Sequence, residues 1–284
     1  MNVDFVAEVS SNHNRDLDRC FELIDTAAGI GCSAVKFQLF KINELFAPEI
    51  LERSDEHRRR KKWELPAEFL PDLAEHCRHR DVEFGCTPFY LKAVEELCPH
   101  VDFYKISSYE LLWHDLLAEC GRTRKPVVLS TGMADLAEVK GAVKILRGAG
   151  CEDLTLLHCV SDYPTQPEIC NLAAMRTLRK LKCRVGWSDH TVHPGVIYRA
   201  VHYWDAAMIE FHLDLDGHGA EYDIGHCWLP GPMQHLINVV KTGFVADGEE
   251  MKIPVASELN DREWRADASD GLRPLEHVRS GFKR

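Results

Sequence analysis

Two lysines interrupt apolar, β-prone sequence: Lys36 in Ala-Val-Lys-Phe-Gln and Lys105 in Phe-Tyr-Lys-Ile-Ser. An ammonium group removed from water is costly unless something neutralises it, so each needs a buried carboxylate or an anionic ligand. An internal ion pair with Glu8 or Glu110 is the simplest account. Hydroxyls at Thr87, Ser108, Ser130, Ser161 and Ser188 end or follow other apolar runs. Singly, such residues cap the next turn or helix. Grouped beside two cations, they form a set that binds phosphate and carboxylate. His190 and His212 close the last two apolar runs. Neutral imidazoles at matching heights on strands about 4.8 Å apart can share a divalent first-row ion such as Mn²⁺, Co²⁺ or Zn²⁺. Asp189, Glu210 and Asp223 are carboxylates available to support them or to meet a substrate. A lone histidine more often has no such role, and His57, His76, His79 and His100 lie in polar sequence that asks none of them.

These residues act together only if the chain brings their strands to one place. Side chains two apart on a strand face the same way. That rule pairs Lys36 with Gln38, Ser188 with His190, and Glu210 with His212. The strand candidates are 3–9, 34–39, 82–87, 103–107, 127–130, 154–160, 184–188 and 206–212. Amphipathic helices are predicted at 16–29, 66–80, 134–146, 172–181, 195–203 and 233–246, with shorter ones near Leu91 and His114. Alternating strand and helix eight times predicts an α/β fold, a (β/α)₈ TIM barrel, whose chemistry sits at the C-terminal ends of the strands. A doubly wound sheet alternates too, but no G-x-G-x-x-G fingerprint follows the first strand. The barrel is assigned to residues 1–255, and residues 256–284, charged and without apolar periodicity, to a short C-terminal tail or arm.

Composition narrows the functional classes. With 284 residues, 45% of them hydrophobic, the chain can bury one large core. A formal net charge of −11 argues against nucleic acid as a partner. The basic run Arg58 to Lys62 reads as a solvated loop or lid. No apolar run is long enough to span a membrane, and Met1 to Ser10 lacks the features of a signal peptide, which predicts a cytoplasmic protein. The eleven cysteines are odd in number, scattered and without a C-x-x-C pair, so reduced thiols are expected rather than disulfides or structural zinc.

Seven segments occur in order: Ala-Glu-Val-Ser-Ser-Asn-His-Asn (7–14), Ala-Val-Lys-Phe-Gln (34–38), Lys-Ile-Ser-Ser-Tyr-Glu (105–110), Leu-Ser-Thr-Gly-Met (129–133), Leu-His-Cys-Val-Ser-Asp-Tyr-Pro (157–164), Gly-Trp-Ser-Asp-His-Thr (186–191) and Ile-Glu-Phe-His (209–212). Together they resemble the N-acetylneuraminate (sialic acid) synthase family, over about residues 4 to 235. The resemblance implies a metal-dependent transferase that condenses phosphoenolpyruvate with a hexosamine-like sugar aldehyde. Its products are phosphate and a 2-keto-3-deoxy acid of the nonulosonic type. It implies that Lys36, Thr87, Lys105, Ser108, Ser130, Ser161 and Ser188 hold phosphoenolpyruvate. His190 and His212 would bind the ion, Mn²⁺ first and Co²⁺, Mg²⁺ or Zn²⁺ as alternatives. Glu8, Gln38, Phe89, Glu110, Tyr163 and Asp223 would line the sugar side. Glu210 would polarise water or support His212, and Glu8, Lys36, Lys105 and Glu210 are the catalytic candidates. A homo-oligomer, a dimer, is also implied.

Typical family members carry a C-terminal antifreeze-like domain that lends an arginine to the neighbouring subunit's site. The chain's end at Arg284 is expected to leave no room for it, with Arg265 or Arg273 as substitutes. Phe211 and Asp162 replace the usual lysine and asparagine, and the segment 219–226 departs from the family pattern. The rival readings are a related keto-acid synthase acting on another aldose, a Schiff-base aldolase using Lys36 or Lys105, and a non-catalytic sugar-binding barrel.

Overall fold

In the computed structural model, which describes residues 3–282, eight parallel strands follow one another around a closed barrel. They are β1 (Asp4–Glu8), β2 (Ala34–Leu39), β3 (Glu83–Pro88), β4 (Phe103–Ile106), β5 (Val127–Ser130), β6 (Leu154–His158), β7 (Arg184–Asp189) and β8 (Met208–Leu213). Each pairs with the next, and β1 pairs with β8 to complete the ring. Helices lie between the strands, as the (β/α)₈ reading requires. A two-residue strand, β9 (Cys227–Trp228), adds to β8 in parallel, with Cys227 opposite His212 and Trp228 opposite Leu213.

The barrel closes because each strand buries both faces. The six strand residues Val6, Ala34, Phe103, Val128, Leu157 and Met208 meet as one buried cluster. Phe103 fills space that β3 concedes: a Cβ on Gly85 would come within 2.2 Å of its ring. Local sequence sets the helix starts. Asp16 accepts from the backbone N–H of Asp18 and Arg19 to begin Leu17–Ile30. Asp135 and Glu138 form a reciprocal capping box at the start of Leu136–Ala149.

Two departures from expectation have a physical cause. The sixth strand stops at His158, because the Val160 carbonyl is taken by the side chains of His190 (2.8 Å) and Thr165 (3.2 Å) instead of a neighbouring strand. The stretch after β2 is not an open loop. It folds into Ile42–Leu45, Pro48–Arg53, Asp55–Arg59 and a 3₁₀ turn at Arg60–Trp63, and the Arg15 guanidinium donates to the Lys61 carbonyl at 3.1 Å.

The chain divides into two compact units, Met1–Lys241 and Thr242–Arg284. Within the second, Asp267 accepts from the N–H of Ser269 (2.9 Å) and Glu276 (2.7 Å), and Arg279 pairs with Asp270 at 2.6 Å. Arg265 donates to the Arg262 carbonyl at 2.8 Å. The cysteines are all free thiols. No helix among the described residues is long and apolar enough to cross a membrane.

Candidate active site

A cavity of about 550 Å³ opens at the C-terminal ends of the strands. Glu8, Lys36, Gln38, Phe89, Lys105, Ser108, Glu110, Ser130, Tyr163, Ser188, His190, Glu210 and His212 all line it. Strand register explains the convergence: Glu8 stands opposite Lys36 on one side and His212 on the other, and Ser188 stands opposite Glu210. A smaller cavity of about 200 Å³ lies near the strands' N-terminal ends, with Asp4, Glu83, Asp153 and Arg184 in its wall.

The cationic half of the mouth is built on β2 and β4. Lys36, 3% exposed, makes a close ion pair with Glu8 and lies 3.2 Å from the Thr87 hydroxyl. Burial lowers its ammonium pKa to about 8, still above neutrality, with Glu210 acting in the opposite direction. Lys105 lies 3.5 Å from Glu210, which also accepts from Ser188 at 3.0 Å. Burial alone would raise the Glu210 pKa, but Lys105, Lys36 and Ser188 outweigh it and bring it down to about 2. Burial raises that of Glu110, against the Ser107 hydroxyl that donates to it.

Donors are left over for a ligand. The hydroxyls of Ser130 and Ser161 are buried without a hydrogen-bond partner among the described residues, a state that costs about 1–3 kcal/mol each unless something binds them. The backbone of Gly132 approaches the same place. An added Cβ there would meet the hydroxyls of Ser161 at 2.4 Å and Ser108 at 2.8 Å. The result is a hydroxyl-lined recess beside two ammonium groups, suited to an oxyanion.

The other half of the mouth belongs to histidines. His190 and His212 have ring centroids 5.4 Å apart, with Tyr163 packed 4.3 Å from His190. His190 Nδ1 contacts the Val160 carbonyl at 2.8 Å, and His212 Nδ1 contacts Glu221 at 3.1 Å. Both partners only accept, so each Nδ1 carries the proton and each Nε2 keeps a lone pair. Burial, then the proximity of His212, lowers the His190 pKa to about 3, and burial lowers that of His212. Both rings are neutral at physiological pH and able to hold a divalent ion. A third ring, His226, sits 4.4 Å from His212, and Glu221 lies between them, 3.6 Å from His226 Nε2. Ligand atoms of His212, Glu221, His226 and Cys227 all lie within 4.8 Å of one another. Cys227 is the misfit: burial raises its thiol pKa to about 12, and Asn12 donates to its sulfur at 3.5 Å.

Several sequence expectations need adjusting. Thr87 and Ser161 are not in the cavity wall: the Thr87 hydroxyl lies 3.2 Å from Lys36, and the Ser161 hydroxyl faces Gly132. Asp223 is exposed; from its loop Glu221, Ile224 and His226 reach the cavity wall. Asp189 does not support the histidines. It is fully buried and accepts from Trp187 (3.0 Å), Trp228 (3.0 Å), Thr191 (2.7 Å) and the Val192 N–H (3.2 Å). Glu210 contacts Lys105 and Ser188, and the partner of His212 is Glu221. Glu221 is placed by residues far away in sequence, accepting from Ser10 at 2.6 Å and donating its N–H to Asn12 at 2.8 Å. Arg60, read as part of a solvated run, lines the cavity beside Phe46 and Trp63, and its Nε is buried without a partner among the described residues.

The chain can now be set beside known proteins. The NeuB family model matches residues 23–252. The N,N'-diacetyllegionaminic acid synthase of Campylobacter jejuni is 36% identical over 225 residues, which is 74% of this chain and 67% of that protein. The pseudaminic acid synthase of Helicobacter pylori is 31% identical over 260 residues, 86% of this chain and 75% of its own length. Among solved structures, the N-acetylneuraminic acid (sialic acid) synthetase of Leptospira borgpetersenii, in complex with citrate, superposes with a TM-score of 0.80 at 29% identity. That superposition covers 93% of this chain and 92% of that one. A family match across most of the barrel, together with relatives above 30% identity, establishes that this chain belongs to the NeuB family and is a synthase of that family.

Proposed function

We propose that the chain condenses phosphoenolpyruvate with an open-chain hexosamine-type aldehyde, giving a nonulosonic acid and phosphate. The observation that carries this reading is one cavity holding both halves of the task. An oxyanion recess with Lys36 and Lys105 faces a set of neutral imidazoles with free lone pairs. Relatives that make legionaminic and pseudaminic acids support the product class.

In this reading the lysines, with Ser108, Ser130, Ser161 and Ser188, bind the phosphate and carboxylate of the donor and hold its C3 toward the acceptor. Glu8 and Glu210 keep the ammonium groups paired until the donor displaces them, so no cation is buried alone. A carbon–carbon bond forms between donor C3 and the aldehyde carbon, whose oxygen takes a proton. Water adds at C2, and the tetrahedral centre collapses with cleavage of the C2–O bond and loss of phosphate. Glu210, ionised and beside Ser188, is placed to orient that water. Gln38, Phe89, Glu110 and Tyr163 line the acceptor's side.

A divalent cation suits the histidine cluster, since a buried His226 Nδ1 without a partner among the described residues adds to the two free Nε2 lone pairs. His190 and His212 would hold it, and it would supply Lewis acidity for a carbonyl oxygen; we take Mn²⁺ as the first ion to try. The test is phosphate release from phosphoenolpyruvate with N-acylated hexosamines, pentose phosphates and hexose phosphates, with and without Mn²⁺. An N-acylated hexosamine should give a keto acid only with metal. No keto acid from any aldose would overturn the reading, and borohydride trapping of pyruvate on Lys36 or Lys105 would replace it with a Schiff-base mechanism.

A further inference from the structure

We propose that His226 is a third imidazole ligand of the metal site, so that this chain grips its ion with three histidines, not the two at its strand ends. The inference rests on the functional reading above only in taking a divalent ion to bind between His190 and His212.

The geometry of the rings carries it. A metal–nitrogen bond of about 2.1 Å places the ion about 3.2 Å from each ring centroid. Rings at right angles around an ion then have centroids about 4.5 Å apart, and opposed rings about 6.4 Å apart. The observed separations are 4.4 Å for His212 and His226, 5.4 Å for His190 and His212, and 6.3 Å for His190 and His226. These are the separations of three rings set around one ion, and ligand atoms of His212 and His226 lie within 4.8 Å of each other. The widest pair is too far apart for tetrahedral angles and fits two nearly opposite positions of a six-coordinate ion.

One nitrogen of His226 is left for a ligand, the other facing Glu221 at 3.6 Å. The residue is 2% exposed, and its Nδ1 is buried with no hydrogen-bond partner among the described residues. Its position is not accidental. It immediately precedes β9, which pairs with β8 beside His212, and Trp228 is tied to Asp189 at 3.0 Å. Glu221 contacts both His212 and His226, the arrangement by which a carboxylate orients two ligating rings.

Three imidazoles favour Co²⁺ or Mn²⁺ over Mg²⁺, which prefers oxygen ligands and retains its waters. The experiment is Co²⁺ titration of the chelator-stripped full chain, followed by its visible absorption and by calorimetry, for wild type, His226→Ala and His226→Asn. Wild type should bind one equivalent without substrate, and excess Mg²⁺ should not displace it. Both variants should bind more than about 100-fold more weakly, a loss at least equal to that of removing an outer partner, with a changed band shape. Pulsed EPR of the Mn²⁺-loaded wild type counts the coupled imidazoles directly and does not depend on either variant folding. Two imidazoles instead of three, no Co²⁺ bound by wild type, or unchanged affinity and spectrum in folded variants would each overturn the proposal. Two coupled imidazoles would leave the condensation reading standing, whereas absence of phosphate release with intact three-ring binding would remove that reading alone.

Discussion

The ion pair between Lys36 and Glu8 permits a test that separates architecture from ligand binding. Among the described residues, Lys36→Met leaves Glu8, 1% exposed, with only the Gln38 amide at 2.9 Å to satisfy it. Removing one partner of a buried pair costs about 3–5 kcal/mol. The surviving Gln38 bond places this case near about 3 kcal/mol, a fall in Tm of roughly 6–12 °C for a unit of this size. Glu8→Gln together with Lys36→Met removes both charges and should recover most of that loss, because no ion is left buried alone. Binding of phosphoenolpyruvate should behave differently. A hydrogen bond to a charged group is worth about 1.5–3 kcal/mol, so both Lys36→Met and the double variant should lose roughly 10- to 150-fold in affinity by calorimetry. Glu8→Gln alone, which releases the ammonium group, should bind at least as tightly as wild type. If the double variant regains both stability and donor affinity, Lys36 is only the structural partner of Glu8 and the donor-binding argument fails.

Four further outcomes are expected. The Lys36 pKa is lowered in the fold to about 8 from 10.5, so between those values the folded chain has lost a proton that the unfolded chain retains. Stability contributed by this residue should therefore rise with pH across that window while phosphoenolpyruvate affinity falls; a flat affinity profile from pH 6.5 to 9.5 would contradict the assignment. Gly132→Ala should weaken the donor at least about tenfold through its clash with Ser161 and Ser108, and a KM unchanged within twofold would place the recess elsewhere. Arg60→Ala should raise the acceptor KM about tenfold, one charged hydrogen bond, and leave donor affinity alone; the opposite pattern would move Arg60 to the donor's side. Asp189→Asn, which impairs a fully satisfied buried acceptor, should cost about 2–3 kcal/mol in urea unfolding and leave the KM for phosphoenolpyruvate within about twofold; a selective loss of donor affinity would argue that Asp189 faces the site.

The barrel and its strand-end residues were legible because strands carry their own signal. A lysine or glutamate inside an apolar run announces both its burial and its need for a partner, and alternation sets which neighbours share its face. Glu221, His226 and Arg60 gave no such signal. Glu221 and His226 lie in a segment without periodicity, positioned by Ser10 and Asn12, far away in sequence, and by the β8–β9 pairing. Arg60 was hidden among like charges, and only the packing of Phe46 and Trp63 distinguishes it from Arg58 or Lys61. Asp189 misled in the opposite direction, since its neighbour His190 made a supporting role plausible while two indole N–H groups claim it.

The two-residue strand β9 has a consequence for how this enzyme can diversify. The segment between Leu213 and Cys227 leaves the barrel and returns to it at fixed points, with the Asp214 N–H bonded to the Trp228 carbonyl at 3.0 Å. Changes in length or composition along its exposed stretch leave the last imidazole anchored where it is. Descendants of this sequence can thus rewrite the loop beside the cavity while keeping His226 next to the β8–β9 pairing.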